Sequence, residues 1–576
     1  MSNGDDDSRR RKRIALISFS SIFLVAMVVA VTVGVSLSHD QNKSNDSKNG
    51  SKSDDDIYTS SKAIQSICAP TDYKRECVSS LSSVAGNTTD SRELIIAVFK
   101  AAMNQINEGA KKSTLLQDLE KDPMAKKALE DCKELMDFAV DELQHSASRF
   151  GDLDITKLDD VVIDLRTWLS AVVTYQETCL DGFQNTTGDA GKKMREALTT
   201  AMHLSSNGLA IVSGMSSLLA DLQIPGFGGS RRRLLRDVVS DNWSNPGVRR
   251  LLQVIPTEIE PNIIVAKDGS GKFKTINEAV LEIPKRSNQT FVIYIKEGVY
   301  EEYVHINTSM THVMMIGDGA QKTRITGNQS YIDGTPTFKT STFAVTGDYF
   351  TAKNIGFENS AGAAKHQAVA LKVQSDFSTF YNCSMDGYQD TLYVHTKRQF
   401  YRDCTISGTI DFVFGDATAI FQNCTFVVRK PMDNQQCIVT AQGRKESLQA
   451  SGIVLQGCSI VSDPAFFPVR FERRAYLGRP WKAFSRTIIM ETHIDDLIQP
   501  QGWLPWVGDF ALDTCFYAEF QNTGPGANST GRVNWAGVKK NITREEVLEY
   551  TAGRFFLGDE WIKDAQVPYI SGMITS

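Results

Sequence analysis

The stretch "FYNCSMDGYQDTLYVHTKRQFYRDCTISGTIDFVFGDATAIFQNCTF", Phe380 to Phe426, carries one short pattern three times. "FYNCSM", "FYRDCTI" and "IFQNCTF" each run from aromatic or apolar residues to Cys, then a small residue, then an apolar one. The same register returns in "FTAKNIGF" (350–357) and "VLQGCSI" (454–460). Cys383 and Cys404 are 21 residues apart, and Cys404 and Cys424 are 20 apart. A period of about 20 in a strand-forming texture predicts a right-handed parallel β-helix, each period making one coil of a solenoid. Residues one period apart then stack on neighbouring strands about 4.8 Å apart. Longer intervals hold loops.

Asp390 and Asp411 are also 21 residues apart, and Gln367 and Gln389 are 22 apart. Both pairs are in step with the cysteines, so the solenoid stacks the two carboxylates on one face with two amides beside them. Carboxylates that close do not ionise independently; one pKa rises while the other stays low. Two residues of one type then serve as proton donor and nucleophile. A pair of capped turn aspartates is the plainer alternative.

Around this stretch, a strand-like texture extends over about 253–576, as in "FVIYIKEGVYEEYVHI" and "HVMMIG". Residues 60–222 read differently. In "DDVVIDLRTWLSAVVTYQETCLDGF", Val161, Leu165, Trp168, Leu169, Val172 and Val173 recur at helical spacing, as do Leu129, Cys132, Leu135, Met136, Ala139 and Leu143 in "ALEDCKELMDFAVDELQ". Such segments in succession predict an all-α, four-helix bundle. Cys68 and Cys77 are close enough to staple a hairpin, and Cys132 and Cys179 sit on two helices that a bridge could join. No catalytic constellation appears there, so this half reads as a binding or folding module.

Between the halves, residues 223–252 form a Gly-, Pro- and Ser-marked linker. Within it, Arg231-Arg232-Arg233-Leu234-Leu235 and Arg249-Arg250-Leu251-Leu252 repeat a basic-leucine theme that reads as two protease processing sites, of the kind a subtilisin-like protease cuts. At the amino end a basic segment, 1–13, precedes the uncharged apolar run 14–37, long enough for a transmembrane signal-anchor. A cleaved signal peptide is the alternative. Residues 38–59 read as a polar stalk. Sequons at Asn87, Asn185, Asn288 and Asn541, among others, agree with a secretory route. The expected locations are a membrane-anchored precursor and a mature form in the extracellular wall. A net charge of −6 and 23% charged residues exclude the basic domain of a nucleic-acid binder.

Several blocks together resemble the plant pectin methylesterase family: "GYQDTLY" (387–393), "GTIDFVFG" (408–415), "YLGRPWKAFSRT" (476–487), "HQAVALKV" (366–373) and "TAQGR" (440–444). The helical half, with "TYQETCLDGF", resembles the pectin methylesterase inhibitor fold found as a pro-region in longer members. The resemblance implies hydrolysis of methyl esters of galacturonosyl units in pectin, that is homogalacturonan. Asp411 would be the nucleophile, Asp390 the proton donor and then base, and Gln367 and Gln389 the oxyanion donors. Arg479 would orient Asp411, Trp481 would face the sugar ring, and Thr337 would bond the substrate. It implies no cofactor and no metal, leaving His366 and His395 structural. It also implies an autoinhibitory pro-region, sensitivity to free proteinaceous inhibitors, and a monomer.

Asp416 stands where that family usually has Asn. Cys437 and Cys515 stand where other residues are common, which leaves either of them open to being a free thiol, and Cys383 and Cys458 are expected as buried ladder residues. Cys404 and Cys424, one coil apart, are expected to be bridged. Two rival functions remain: a β-helix enzyme cleaving the pectin backbone, where paired carboxylates also serve, and a helical module acting as a free inhibitor.

Overall fold

The computed structural model describes residues 52–152, 157–221 and 259–574. The expected cytosolic segment, signal-anchor and linker, with both arginine clusters, lie outside the described residues. So does most of the stalk. Among the described residues no helix is long and apolar enough to cross a membrane.

Among the described residues the amino-terminal unit has six helices: α1 (Lys52–Cys68), α2 (Lys74–Val84), α3 (Ser91–Leu119), α4 (Pro123–Gly151), α5 (Leu158–Asp181) and α6 (Ala190–Asp221). The four long ones make the bundle. Helix α1 begins inside the expected stalk. Helix α4 starts sharply because Asp122 Oδ1 accepts from Met124 N at 2.9 Å and Pro123 occupies a first-turn position that needs no amide donor. The apolar stripe read from the sequence, including Leu129, Leu135, Val161, Leu165 and Val172, is fully buried between the helices. Cys68–Cys77 and Cys132–Cys179 are disulfides, with Cα atoms 5.8 and 4.4 Å apart. The first closes the α1–α2 turn; the second staples α4 to α5.

Residues 263–539 wind into a parallel β-helix with sheets of eleven, seven and eight strands, every pairing parallel. The register follows the sequence period: Tyr381 pairs with Arg402 and Arg402 with Gln422. The pattern has a backbone cause. The residue before each ladder cysteine turns the chain from one sheet to the next in the left-handed region, with φ of 51°, 54° and 53° at Asn382, Asp403 and Asn423. Asn and Asp tolerate that conformation better than other residues with a Cβ. Their side chains also join neighbouring coils, as where Asn423 Nδ2 donates to Asp403 Oδ1 at 2.6 Å.

The interior is filled by stacked like residues. Phe380, Tyr401 and Phe421 lie ring on ring at 4.9 and 4.5 Å. Cys383, Cys404, Cys424 and Cys458 form a second stack, all buried and all free thiols. The expected Cys404–Cys424 bridge is therefore corrected. In-register positions on parallel strands hold their Cα–Cβ bonds side by side, whereas a disulfide needs them converging. Each thiol bonds a main-chain carbonyl instead: Cys404 Sγ donates to Arg402 O at 3.3 Å and Cys424 Sγ to Gln422 O at 3.5 Å. Cys437 and Cys515 are also free and buried.

Candidate active site

The seven-stranded sheet carries the site on its outer face. Its strands Phe343–Val345, Leu371–Val373, Leu392–Val394, Val413–Gly415, Cys437–Gln442 and Ala475–Gly478 lie side by side in that order. Asp390 precedes Leu392 and Asp411 precedes Val413, at equivalent corners of adjacent coils. Leu392 pairs with Val413, and Asp390 N donates to Ile410 O at 3.0 Å. Both aspartates are left-handed, φ 61° and 49°. Strain of this kind costs on the order of 1 kcal/mol per residue and gathers at functional sites. Gln367 and Gln389 form a parallel bridge beside the pair.

The two carboxylates have different surroundings. Arg479 grips Asp411 with both prongs, Nε to Oδ1 at 2.8 Å and Nη2 to Oδ2 at 2.5 Å, the fork geometry that suits guanidinium to carboxylate. The guanidinium also stacks on Trp506, 4.2 Å from the ring centre. Among the described residues the Asp390 carboxyl has no hydrogen-bond or ion-pair partner. Burial first, and then the charge of Asp411, push its pKa well above the usual carboxylate range, with Arg479 pulling the other way. One buried acid thus sits beside one paired carboxylate. Gln389 Oε1 has no hydrogen-bond partner among the described residues, so this amide keeps capacity for a bound group.

All seven residues expected at the site, Asp390, Asp411, Gln367, Gln389, Arg479, Thr337 and Trp481, line one cleft of about 260 Å³. The cleft runs along the stacking direction, from Thr337 and Phe338 at one end, across Tyr393 and Phe414, to Trp481 at the other. Trp481 lies close over Gly443, where a Cβ would come within 2.9 Å of the indole. Asp416 is not in the cleft. It is buried beside it, accepting from Gln442 Nε2 at 2.9 Å, Gln449 Nε2 at 2.6 Å and Ser451 Oγ. Among the described residues no cluster of His, Cys, Asp or Glu is placed to hold a metal.

The helical unit closes the cleft. Met124, Asp131 and Leu135 of α4, with Thr178 and Asp181 of α5, line it together with the aspartate pair. Helix α5 is bedded in the sheet face by two stripes. Trp168 Nε1 donates to Asp376 at 2.9 Å, Tyr175 meets Thr396 at 3.2 Å, and Thr178 meets His395 Nε2 at 2.8 Å. On its other flank, Ser170 Oγ accepts from Ala450 N at 3.0 Å and Thr174 Oγ1 donates to Asp416 at 2.6 Å. The apolar core of the bundle runs on into Phe338, Tyr393 and Phe414 of the cleft. Sequence reading missed this docking face. The signal was present in α5, whose Ser170, Thr174, Glu177 and Asp181 recur at helical spacing opposite the apolar stripe. Trp506, in "GWLPW", was missed as well.

Fold and site together define an ester hydrolase built on a parallel β-helix, with a helical unit laid over its cleft. The pectinesterase family model matches residues 262–559, and the model for plant invertase/pectin methylesterase inhibitors matches 62–211. The chain is 53% identical to "Putative pectinesterase/pectinesterase inhibitor 28" of Arabidopsis thaliana, over 99% of this chain and 76% of that one. It is 52% identical to "Probable pectinesterase/pectinesterase inhibitor 21" of the same plant, over 99% and 84%. The solved structure "Pectin methylesterase from Carrot" superposes with a TM-score of 0.54 at 46% identity, covering 55% of this chain and 99% of that one. The chain belongs to the pectinesterase family: it is a carboxylic ester hydrolase that de-esterifies pectin, with an inhibitor-type domain ahead of the catalytic one.

Proposed function

We propose that Asp411 attacks the methyl ester carbonyl of a galacturonosyl unit and that Asp390 is the acid and base of the cycle. Asp411, as the carboxylate of the Arg479 ion pair, bonds to the carbonyl carbon, and the oxyanion accepts hydrogen bonds from the amides of Gln389 and Gln367. As the intermediate collapses, Asp390 gives its proton to the departing methanol. An anhydride then joins Asp411 to the sugar carboxyl. Asp390, now a base, takes a proton from water, whose oxygen adds to the acyl carbon and releases Asp411 and a galacturonate. Thr337 and Trp481 hold the sugar from the two ends of the cleft. The observation that carries this reading is the in-register pair with one aspartate gripped by Arg479 and the other buried with no hydrogen-bond or ion-pair partner among the described residues.

Asp411→Ala and Asp390→Asn are each expected to lower methanol release by at least about a thousandfold in a protein whose melting is otherwise normal. Near-parental turnover in either folded variant would falsify the assignment. New reducing ends, measured alongside methanol, test backbone cleavage.

The amino-terminal module acts, in this reading, as an autoinhibitory pro-region, because the residues that bury Asp390 and Asp411 include those of α4 and α5. A linker of a few tens of residues keeps it near the cleft at millimolar-scale effective concentration. A subtilisin-like protease cutting after Arg231-Arg232-Arg233 or Arg249-Arg250 ends that advantage, so the mature enzyme begins near Gln253. The apolar run 14–37 anchors the precursor in the secretory pathway, and the processed enzyme works as a monomer in the cell wall. Changing all five arginines to alanine is expected to leave a full-length form retained before the wall. Secretion of that form, uncut and fully active on pectin, sinks the pro-region reading.

A further inference from the structure

The turn at 387–390 decides where Gln389 and Asp390 stand, and its main chain is tied to the coil of Asp411. Gly387 N donates to Ser407 O at 3.2 Å, Thr409 N to Tyr388 O at 2.8 Å, and Asp390 N to Ile410 O at 3.0 Å. The carbonyl of Gly387 and the side chain of Tyr388 both go to Arg429. Its Nη1 donates to Gly387 O at 2.9 Å and its Nη2 to the Tyr388 hydroxyl at 2.9 Å. The guanidinium carbon lies 4.0 Å from the centre of the Tyr388 ring.

Arg429 comes from two coils away. Asp386 pairs with Ser407 and Ser407 with Val427, so that two residues further on Tyr388, Thr409 and Arg429 hold one position on three successive coils. Thr409, 1% exposed, is the small member of this row, and the two long side chains meet across it. The span covers two coil spacings, roughly 10 Å. Arg429 N donates to Gly408 O at 2.8 Å, so the arginine is fastened at both ends, to the coil of Asp411 and to the turn that carries Asp390. Among the described residues it pairs with no carboxylate. One prong on a carbonyl, the other on a phenol and a flat face on the phenol ring make a contact of shape, which lysine cannot copy. Neither Arg429 nor Tyr388 lines the cleft.

We propose that Arg429 is a positioning residue for the reaction: by strapping the turn at 387–390 to the coil of Asp411, it fixes the distance at which Asp390 and the Gln389 amide face the nucleophile. The inference rests on the reading that Asp411 attacks and Asp390 moves the protons. Thr337 and Trp481, which hold the sugar in that reading, stand on other turns. A general acid displaced by a fraction of an ångström loses much of its effect while substrate affinity stays. Loss of the strap therefore appears in kcat and leaves KM in place. It appears in the pH profile as well. Asp390 is faced by Asp411 and Arg479, and burial and the Asp411 charge keep it protonated. Let loose, it is better hydrated and farther from that charge. Its pKa then falls, and the alkaline limb of kcat/KM, which reports the acid of the free enzyme, moves to lower pH.

The test uses the full chain with a protease site inserted between residues 222 and 258, cut after folding and freed of its module. Arg429→Met, Arg429→Lys and Tyr388→Phe are compared with the parent on esterified pectin across the pH range. Arg429→Met is expected to lower kcat by about tenfold, with KM within a factor of about two and the alkaline limb lower by at least about half a unit. Arg429→Lys keeps the charge and one bond, and is expected to retain less than about half of the parental kcat. Tyr388→Phe keeps the stacking and loses the hydroxyl bond, for a loss of about threefold. Should Arg429→Met not fold, the lysine variant takes its place with the same two readouts. A kcat within a factor of two of the parent in the folded variant, a loss carried by KM, or an alkaline limb that stays where it is overturns the proposal. Near-parental turnover of Asp390→Asn strikes the underlying catalytic reading instead, whatever Arg429 does.

Discussion

Arg479 shows how much rests on the shape of one side chain. Its two hydrogen bonds to Asp411 need a planar fork, and its stacking on Trp506 needs a flat cation. Lysine retains the charge and loses both. Arg479→Lys is therefore expected to lower kcat by more than about tenfold, the equivalent of 1.4 kcal/mol of transition-state stabilisation, while the melting temperature moves little. Activity within a factor of two of the parent would remove the orienting role. At this scale the sequence was legible where residues repeat in step. Asp390 and Asp411 could be paired because the 21-residue interval matches that of Cys383 and Cys404. Trp506 repeats nothing, so no interval pointed to it; only the fold brings its ring over Arg479.

At the scale of elements, the coil period was readable because each corner needs a left-handed residue, and Asn382, Asp403 and Asn423 supply it immediately before a cysteine. The pairing of those cysteines was not readable. Proximity of stacked positions suggested a bridge, but proximity leaves out the direction of the Cβ bonds, which parallel register fixes. Thiol titration checks the outcome: the native protein is expected to react slowly, and six thiols to appear on denaturation without reductant. Four would restore the Cys404–Cys424 bridge. The module's disulfides have a different weight. Cys132 and Cys179 close a loop spanning 47 residues, for which chain entropy alone gives about 4 kcal/mol. Cys132→Ser with Cys179→Ser is expected to bring down the helical unit's denaturation midpoint and leave that of the β-helix in place, as two resolved unfolding steps would report.

For the whole molecule, the closed state is a proton-binding state. Burial under the docked module raises the pKa of Asp131 to about 7, against the pull of Lys339 and Lys372 and with the push of Glu134 and Glu130. Burial likewise raises Asp181, faced by Lys482, Glu177 and Lys445, and Glu446, faced by Ser206, Glu177 and Lys445. Once the module leaves, these carboxyls return towards the ordinary range near 4. Docking therefore takes up protons: its contribution from these groups is full at low pH and fades as pH rises through the docked values. His395, held neutral by burial beneath Thr178, opposes this, as do Lys372 and His305, which burial lowers to about 7 and about 4, while Glu142, raised by burial to about 7, adds to it. After the linker is cut, the dissociation constant of the module is expected to increase by at least about tenfold between pH 5 and pH 7, as calorimetry or surface-bound module would measure. A constant that falls over this range contradicts the linkage.

The cleft lies across strands whose spacing is set by main-chain hydrogen bonds. Its length is consequently counted in whole coils, and no side-chain change can stretch it by a fraction of one. Thr337, the aspartate pair and Trp481 stand on separate rungs of this ladder. A polymer held by them is read in steps of about 4.8 Å. Lengthening the reading frame requires a complete extra turn of the solenoid, corner residue, ladder residue and strand triplet together. Half a turn would move every later side chain to the wrong face. Evolution of substrate reach in such a protein is thus digital, while evolution of affinity at each rung stays continuous.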